Sequence, residues 1–210
     1  MKVKIYLEGG DKGELNAQCR DGFKQLLEKA GFVRPNSPTL VACGGRKQAF
    51  DKFETALRAN KGEYLILLVD SEDPVTNPDE SPDSDTAWKH LKARKDDNWT
   101  RPANTANDQA QLMATCMETW VMADQATVKR FFGSALQVSA LLPLLDLEAR
   151  DRHEVQQALE HATRNCGRDR SYAKGKKSFA VLATLDPATL QQHLPHFRRL
   201  LATLNRCLSK

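Results

Sequence analysis

Two acidic positions stand where apolar, strand-like runs end. Glu8 closes "VKIYLEG" and is followed by a glycine pair; Asp70 closes "EYLILLVD" and is followed by Ser71, Glu72 and Asp73. A carboxylate at the end of a buried strand can serve as a polar cap. It can equally serve as a ligand for a hard cation, because Mg²⁺ and Mn²⁺ favour carboxylate oxygens and keep positions for water and phosphate. Carboxylates gathered in one crevice repel each other unless a cation joins them. The chemistry such a set would support is phosphoryl transfer or phosphodiester hydrolysis, with the metal polarising phosphate and activating water.

For Glu8, Asp70 and Glu72 to meet, the elements beneath them must be ordered in a particular way. The spacing predicts strands over 3–9, 39–45 and 63–70, alternating with amphipathic helices over 14–30 and 46–60. The 63–70 run is almost uninterruptedly apolar, as in a parallel strand covered by helices on both faces. Strand–helix alternation implies parallel crossovers. Strand 1 beside strand 3, with strand 2 outside, would put both acids at one crevice beyond the carboxyl ends of the strands. The segment 108–133 suits one long helix, or a fourth strand near 110–116 followed by a helix; the second reading makes the larger sheet. Helices are expected over 151–165, 177–185 and 195–208. The expected fold class is therefore α/β, a parallel sheet flanked by helices with a helical C-terminal part. The expected division is an α/β domain over 1–133 and a helical extension over 134–210.

The stretch 71–85 holds three prolines and many acids but no basic residue, and reads as a solvated loop or lid. Cysteines at 19, 43, 116, 166 and 207 are odd in number and lack C-x-x-C spacing, which argues for free thiols rather than a disulfide framework or zinc knuckle. The short apolar stretch of "MKVKIYLEGG" is not a secretion signal, and no segment reaches the length of a membrane span. A cytoplasmic protein is expected. A net charge of +4 permits contact with nucleic acid without demanding it.

At Glu8-Gly9 and Asp70-Ser71-Glu72 the chain resembles a Toprim domain, the fold shared by topoisomerases, bacterial primases and overcoming-lysogenization-defect nucleases. Its signature is Glu-Gly after the first strand and Asp-x-Asp after the third. Through "ACGGR", "METWVMAD" and "YAKGKKS" as well, most of the chain resembles a bacterial family of Toprim-like domains of unknown function. These are often encoded beside an ABC- or SMC-type ATPase in defence-like operons. The resemblance implies Mg²⁺ (or Mn²⁺) held by Glu8, Asp70 and Glu72, with Asp73 as a substitute ligand. In the related nucleases a further acid and a distal Lys complete a two-metal site; by position these fall on Glu118 and on Lys174 or Lys177. Glu72 departs from the signature's second Asp, and its extra methylene shifts the oxygens.

Other features carry a bland and a sharp reading each. Gly9-Gly10 and Gly44-Gly45 are either tight turns or places where backbone N–H groups approach phosphate. Arg46 is either a solvated helix start or a phosphate clamp. Arg168, Arg170, Lys174, Lys176 and Lys177 surround Tyr172, which makes this segment a solvated loop or a nucleic-acid patch with an aromatic for stacking. The segment 88–99 adds cations that could steer a polyanion, and His90, an incidental histidine or a proton shuttle. Trp120 and the methionines near it read as core. The sequence thus predicts a metal-dependent nuclease or nuclease-like effector working with an ATPase partner, with homo-oligomers allowed. Its alternatives are a non-catalytic subunit that binds nucleic acid or protein and regulates the ATPase, and phosphoryl transfer on a small nucleotide.

Overall fold

A computed structural model describes residues 1–10, 13–59, 62–167 and 171–208. Four parallel strands form one sheet in the order β2-β1-β3-β4, with β1 at Val3–Leu7, β2 at Thr39–Ala42, β3 at Tyr64–Asp70 and β4 at Ala110–Met113. β3 is the apolar run, and residues 65–69 are buried because it lies between β1 and β4 with helices on both faces. On one face α1 (Glu14–Lys29) buries Cys19, Phe23, Leu26 and Leu27. On the other, α2 (Arg46–Ala59) and α3 (Thr86–Ala93) enclose Tyr6, Phe53, Leu67 and Trp88.

The expected strand ends at 9 and 45 are shorter in the structure for a clear reason. Gly9 N–H donates to the Gly44 carbonyl (2.8 Å) and Gly44 N–H returns to the Gly9 carbonyl (3.1 Å). This antiparallel bridge breaks the parallel ladders just after Leu7 and Ala42. Gly9 (φ 129) and Gly44 (φ 88) both have the positive φ that glycine accepts without strain. The fourth strand is present, and two helices follow it: α4 (Met117–Ala123) and α5 (Gln125–Phe132). Asp124 makes the break; its carboxylate accepts from Thr127 N–H (3.0 Å) at the start of α5 and from Asp186 N–H (2.9 Å).

The C-terminal part comprises α6 (Arg152–Thr163), α7 (Lys176–Leu182), α8 (Pro187–His193) and α9 (Pro195–Leu208). The segment 186–194, expected to be a connection, contains α8, with Pro187 in its first turn and Asp186 capping Ala188 and Thr189. Leu7 and Phe23 share one buried cluster with Trp120, Leu159, Phe179 and Leu204, so the helical part completes the core on the α1 face. The acidic loop is fastened at its far end to α9. Arg199 is 1% exposed and donates to the carbonyls of Ser81 (3.1 Å), Ser84 (3.0 Å), Asn107 (3.1 Å) and Ala110 (2.7 Å). Arg198 pairs with Glu80, and Arg206 with Asp83 (2.6 Å). Among the described residues no helix is long and apolar enough to cross a membrane.

Candidate metal centre

The three acids meet because neighbouring ladders place them. Leu7 lies opposite Leu68 in the β1–β3 register, so Glu8 follows at the same level and its N–H donates to the Leu68 carbonyl (2.9 Å). One Glu8 carboxylate oxygen accepts from Asp70 N–H (3.0 Å). Asp70 in turn accepts from Met117 N–H (2.9 Å) at the start of α4. Ser71 N–H donates to Met113 and Glu72 N–H to Thr115 (2.8 Å), extending the β3–β4 pairing past the strand end. Glu72 is held there at φ 67, a left-handed conformation that costs a side chain about 1–2 kcal/mol. One oxygen from each of Glu8, Asp70 and Glu72 lies within 4.8 Å of the others. Three carboxylate oxygens are the donor type a hard divalent cation takes; across an octahedral Mg²⁺ opposite oxygens are about 4.2 Å apart and adjacent ones about 3 Å, so binding would draw the three together.

The surrounding charges leave this cluster under-neutralised. Burial pushes the Asp70 carboxyl well above its ordinary value, and the charges of Glu8 and Glu118 add to the rise. Burial also raises Glu8, against the opposing pull of Arg46. Arg46 Nη1 is 3.7 Å from Glu8 and donates to the Asp70 carbonyl. The same guanidinium is committed to Asp97 (2.5 Å) and lies 5.0 Å from the centre of the Trp99 ring, which stacks on Phe50. Arg94 pairs with both Asp97 and Asp73. Arg152, the first residue of α6, pairs with Glu72.

A cavity of about 360 Å³ opens beside the acids, lined by Glu8, Asp70, Glu118 and Lys174 among others. Glu118, in the first turn of α4, is 3% exposed and accepts from the Tyr172 hydroxyl (2.9 Å). Lys174 is exposed at the rim, just before α7. A slightly larger cavity, about 390 Å³, lies under α2 beside Lys4, Tyr6 and Glu63. It lies toward the other end of the strands and has no carboxylate cluster.

The model of one family, a domain of unknown function (DUF4276), matches residues 8–205. The chain belongs to the DUF4276 family. Comparison with curated proteins and with solved structures finds no match. In this DUF4276 chain the matched span begins at Glu8 and takes in every residue of the cluster, the cavity and its cations.

Several residues singled out from sequence take other places in this DUF4276 chain. Tyr172, expected to stack on bases, is 5% exposed and its hydroxyl is spent on Glu118, so it has no free ring face at the surface. Asp73 turns outward to Arg94 and stays outside the carboxylate cluster. Arg46 is no free phosphate clamp, because Asp97, Glu8 and the Asp70 carbonyl hold it. The amides of Gly9 and Gly44 are bonded to each other rather than open to phosphate. Lys177 donates to the Ser171 carbonyl (2.9 Å) and does not line the cavity, whereas Lys174 does. Lys176 faces Glu14 at the surface. Arg168 and Arg170 lie outside the described residues. His90 is half-buried against the Ser71 carbonyl (2.8 Å), and burial lowers its pKa. Arg94, one of the cations of 88–99 expected to steer a polyanion, is instead spent on Asp97 and Asp73. Arg152 and Asp97 were not foreseen, since neither carries a spacing signal and only folding brings them to the acids.

Proposed function

We propose that the protein is a divalent-cation-dependent phosphodiesterase acting on nucleic acid. The observation that carries this reading is the convergence of Glu8, Asp70 and Glu72 oxygens within 4.8 Å at the carboxyl ends of neighbouring parallel strands. The strand order sets β1 beside β3, which lets the two acidic strand ends meet; the nucleic-acid substrate rests on the Toprim resemblance. A partner ATPase and a role in bacterial defence rest on that resemblance alone.

Glu8, Asp70 and Glu72 would hold Mg²⁺ or Mn²⁺, which supplies charge neutralisation at the phosphate and an acidified water. The chain's own part is orientation. The amides of Asp70 and Met117 fix one oxygen each of Glu8 and Asp70. Tyr172 fixes Glu118 at the cavity wall. Lys174 brings positive charge to the rim, where it would stabilise charge building on the phosphate in the transition state.

The test is cleavage of plasmid, single-stranded DNA and RNA with Mg²⁺ or Mn²⁺, beside Glu8→Ala and Asp70→Ala. Cleavage by wild type, lost in both variants, is expected. Equal cleavage by all three proteins would refute the site. Binding without cleavage, retained in the variants, would instead make the protein a non-catalytic binding subunit.

A further inference from the structure

Glu72 has one ion-pair partner among the described residues, Arg152, and this pair differs from the other arginine at the site. Arg46 is 12% exposed and shared among Asp97, Glu8, a backbone carbonyl and the Trp99 ring. Arg152 has 34% of its side chain exposed and, among the described residues, pairs with Glu72 alone. Both ends of the pair hang from one residue. Thr115 accepts from Glu72 N–H (2.8 Å), and its hydroxyl donates to the Arg150 carbonyl (3.0 Å). Asp151 then caps the helix through His153 and Glu154 N–H, so Arg152 leaves a fixed backbone. The backbone is tethered while the guanidinium is held by one exchangeable contact.

Resting on the metal reading above, we infer that Arg152 is the counter-ion a divalent cation displaces from Glu72. Once displaced, it holds the substrate's phosphate. A cation joining Glu8, Asp70 and Glu72 takes over neutralisation of Glu72 and repels the guanidinium. Arg152 remains within a side chain's reach of the cluster and presents a planar fork suited to two phosphate oxygens. Metal occupancy and phosphate binding then favour each other, and the coupling is reciprocal.

The experiment titrates Mn²⁺ by calorimetry, without nucleic acid, into wild type, Arg152→Gln and Arg152→Lys. Binding of a short single-stranded oligonucleotide is measured at saturating Ca²⁺, to hold the substrate uncleaved. Thermal melts in EDTA establish that each variant is folded. Removal of the competing charge in Arg152→Gln should tighten Mn²⁺ binding about two- to fivefold, the upper range of a partly exposed ion pair. The same variant should bind oligonucleotide about tenfold more weakly, as for loss of a charge-assisted bidentate contact. Arg152→Lys, which keeps the charge without the fork, should match wild type for Mn²⁺ and fall short of it for oligonucleotide. Unchanged or weaker Mn²⁺ binding in Arg152→Gln would overturn the inference, since Arg152 would then only order Glu72. Unchanged oligonucleotide binding would overturn it as well. Absence of Mn²⁺ binding by wild type would be a different result, overturning the metal reading itself.

Discussion

Asp70→Asn should stabilise the metal-free protein at neutral pH. One carboxylate oxygen of Asp70 lies within 4.8 Å of one from each of Glu8 and Glu72. Two full charges at that distance repel by about 3.5 kcal/mol at an effective dielectric constant near 20. Arg46, 3.7 Å from Glu8, offsets part of this. The amide still offers an oxygen to Met117 N–H, and its NH₂ can donate to a neighbouring carboxylate. A net gain of about 1–3 kcal/mol is expected, or about 2–12 °C in Tm for a chain of this length.

The gain should depend on pH in a defined direction. Asp70 is raised above its ordinary 3.8, mainly by burial and then by Glu8 and Glu118. A carboxyl with a higher pKa in the folded chain binds more protons there than in the unfolded chain. Its penalty is absent below the unfolded value, grows as pH rises through the window up to the raised folded value, and is complete above it. The Asn variant should therefore gain most near pH 7.5 and nothing near pH 3.8. Thermal denaturation in EDTA, in buffers stepped from pH 4 to 8, reads this directly. Adding Mg²⁺ should raise the Tm of wild type and leave Asp70→Asn nearly unmoved; a ligand at about 100 times its Kd contributes about 2.7 kcal/mol. A less stable Asn variant at pH 7.5, or a gain that grows as pH falls, would refute the electrostatic reasoning.

Glu72→Gly relieves the left-handed backbone at φ 67 while losing the pair with Arg152, so stability should stay within about 1 kcal/mol of wild type; calorimetric titration should show Mn²⁺ binding weakened at least tenfold. Arg199→Leu strands four carbonyl acceptors and should cost about 3 kcal/mol or more, read as a lower urea midpoint, whereas Arg198→Ala, at an exposed pair with Glu80, should cost under about 1 kcal/mol. All five cysteines are free and buried, and burial pushes the Cys19 thiol up to about 12; the native protein should resist an aromatic disulfide reagent that labels the denatured chain fully.

What was legible in the sequence is what the backbone ladder dictates. The uninterrupted "LILLVD" run required a strand covered on both faces, and parallel crossovers then brought Glu8 and Asp70 to one end of adjacent strands. Trp120, 0% exposed, is core as its helical spacing implied. What was not legible depends on side-chain geometry across distant segments. Tyr172 sits among cations in sequence, yet the fold turns it inward to satisfy the buried Glu118. Arg198, Arg199 and Arg206 lie on a helix whose apolar positions gave its period, and nothing in that period shows that they fasten the acidic loop. The glycine pairs had two readings because local sequence cannot tell an amide open to a ligand from one bonded to another turn.

The distribution of charge explains why the helical part is more than a support for the sheet. The cluster's acids come from the ends of β1 and β3, while Arg152 comes from the first residue of α6 and Lys174 from the turn just before α7. Glu8 has Arg46 and Glu72 has Arg152. Asp70 makes no ion pair among the described residues; it has the Met117 amide and the more distant charge of Lys174. Asp70 is thus the acid of the cluster without an ion pair, beside two that have one. A divalent cation bound there would neutralise Asp70 first. It would also compete with only one replaceable arginine, because Arg46 is tied to Asp97 whether or not Glu8 needs it. On the metal reading, then, a cation would supply the counter-ion that Asp70 lacks, and Arg152 is the one arginine it would have to displace.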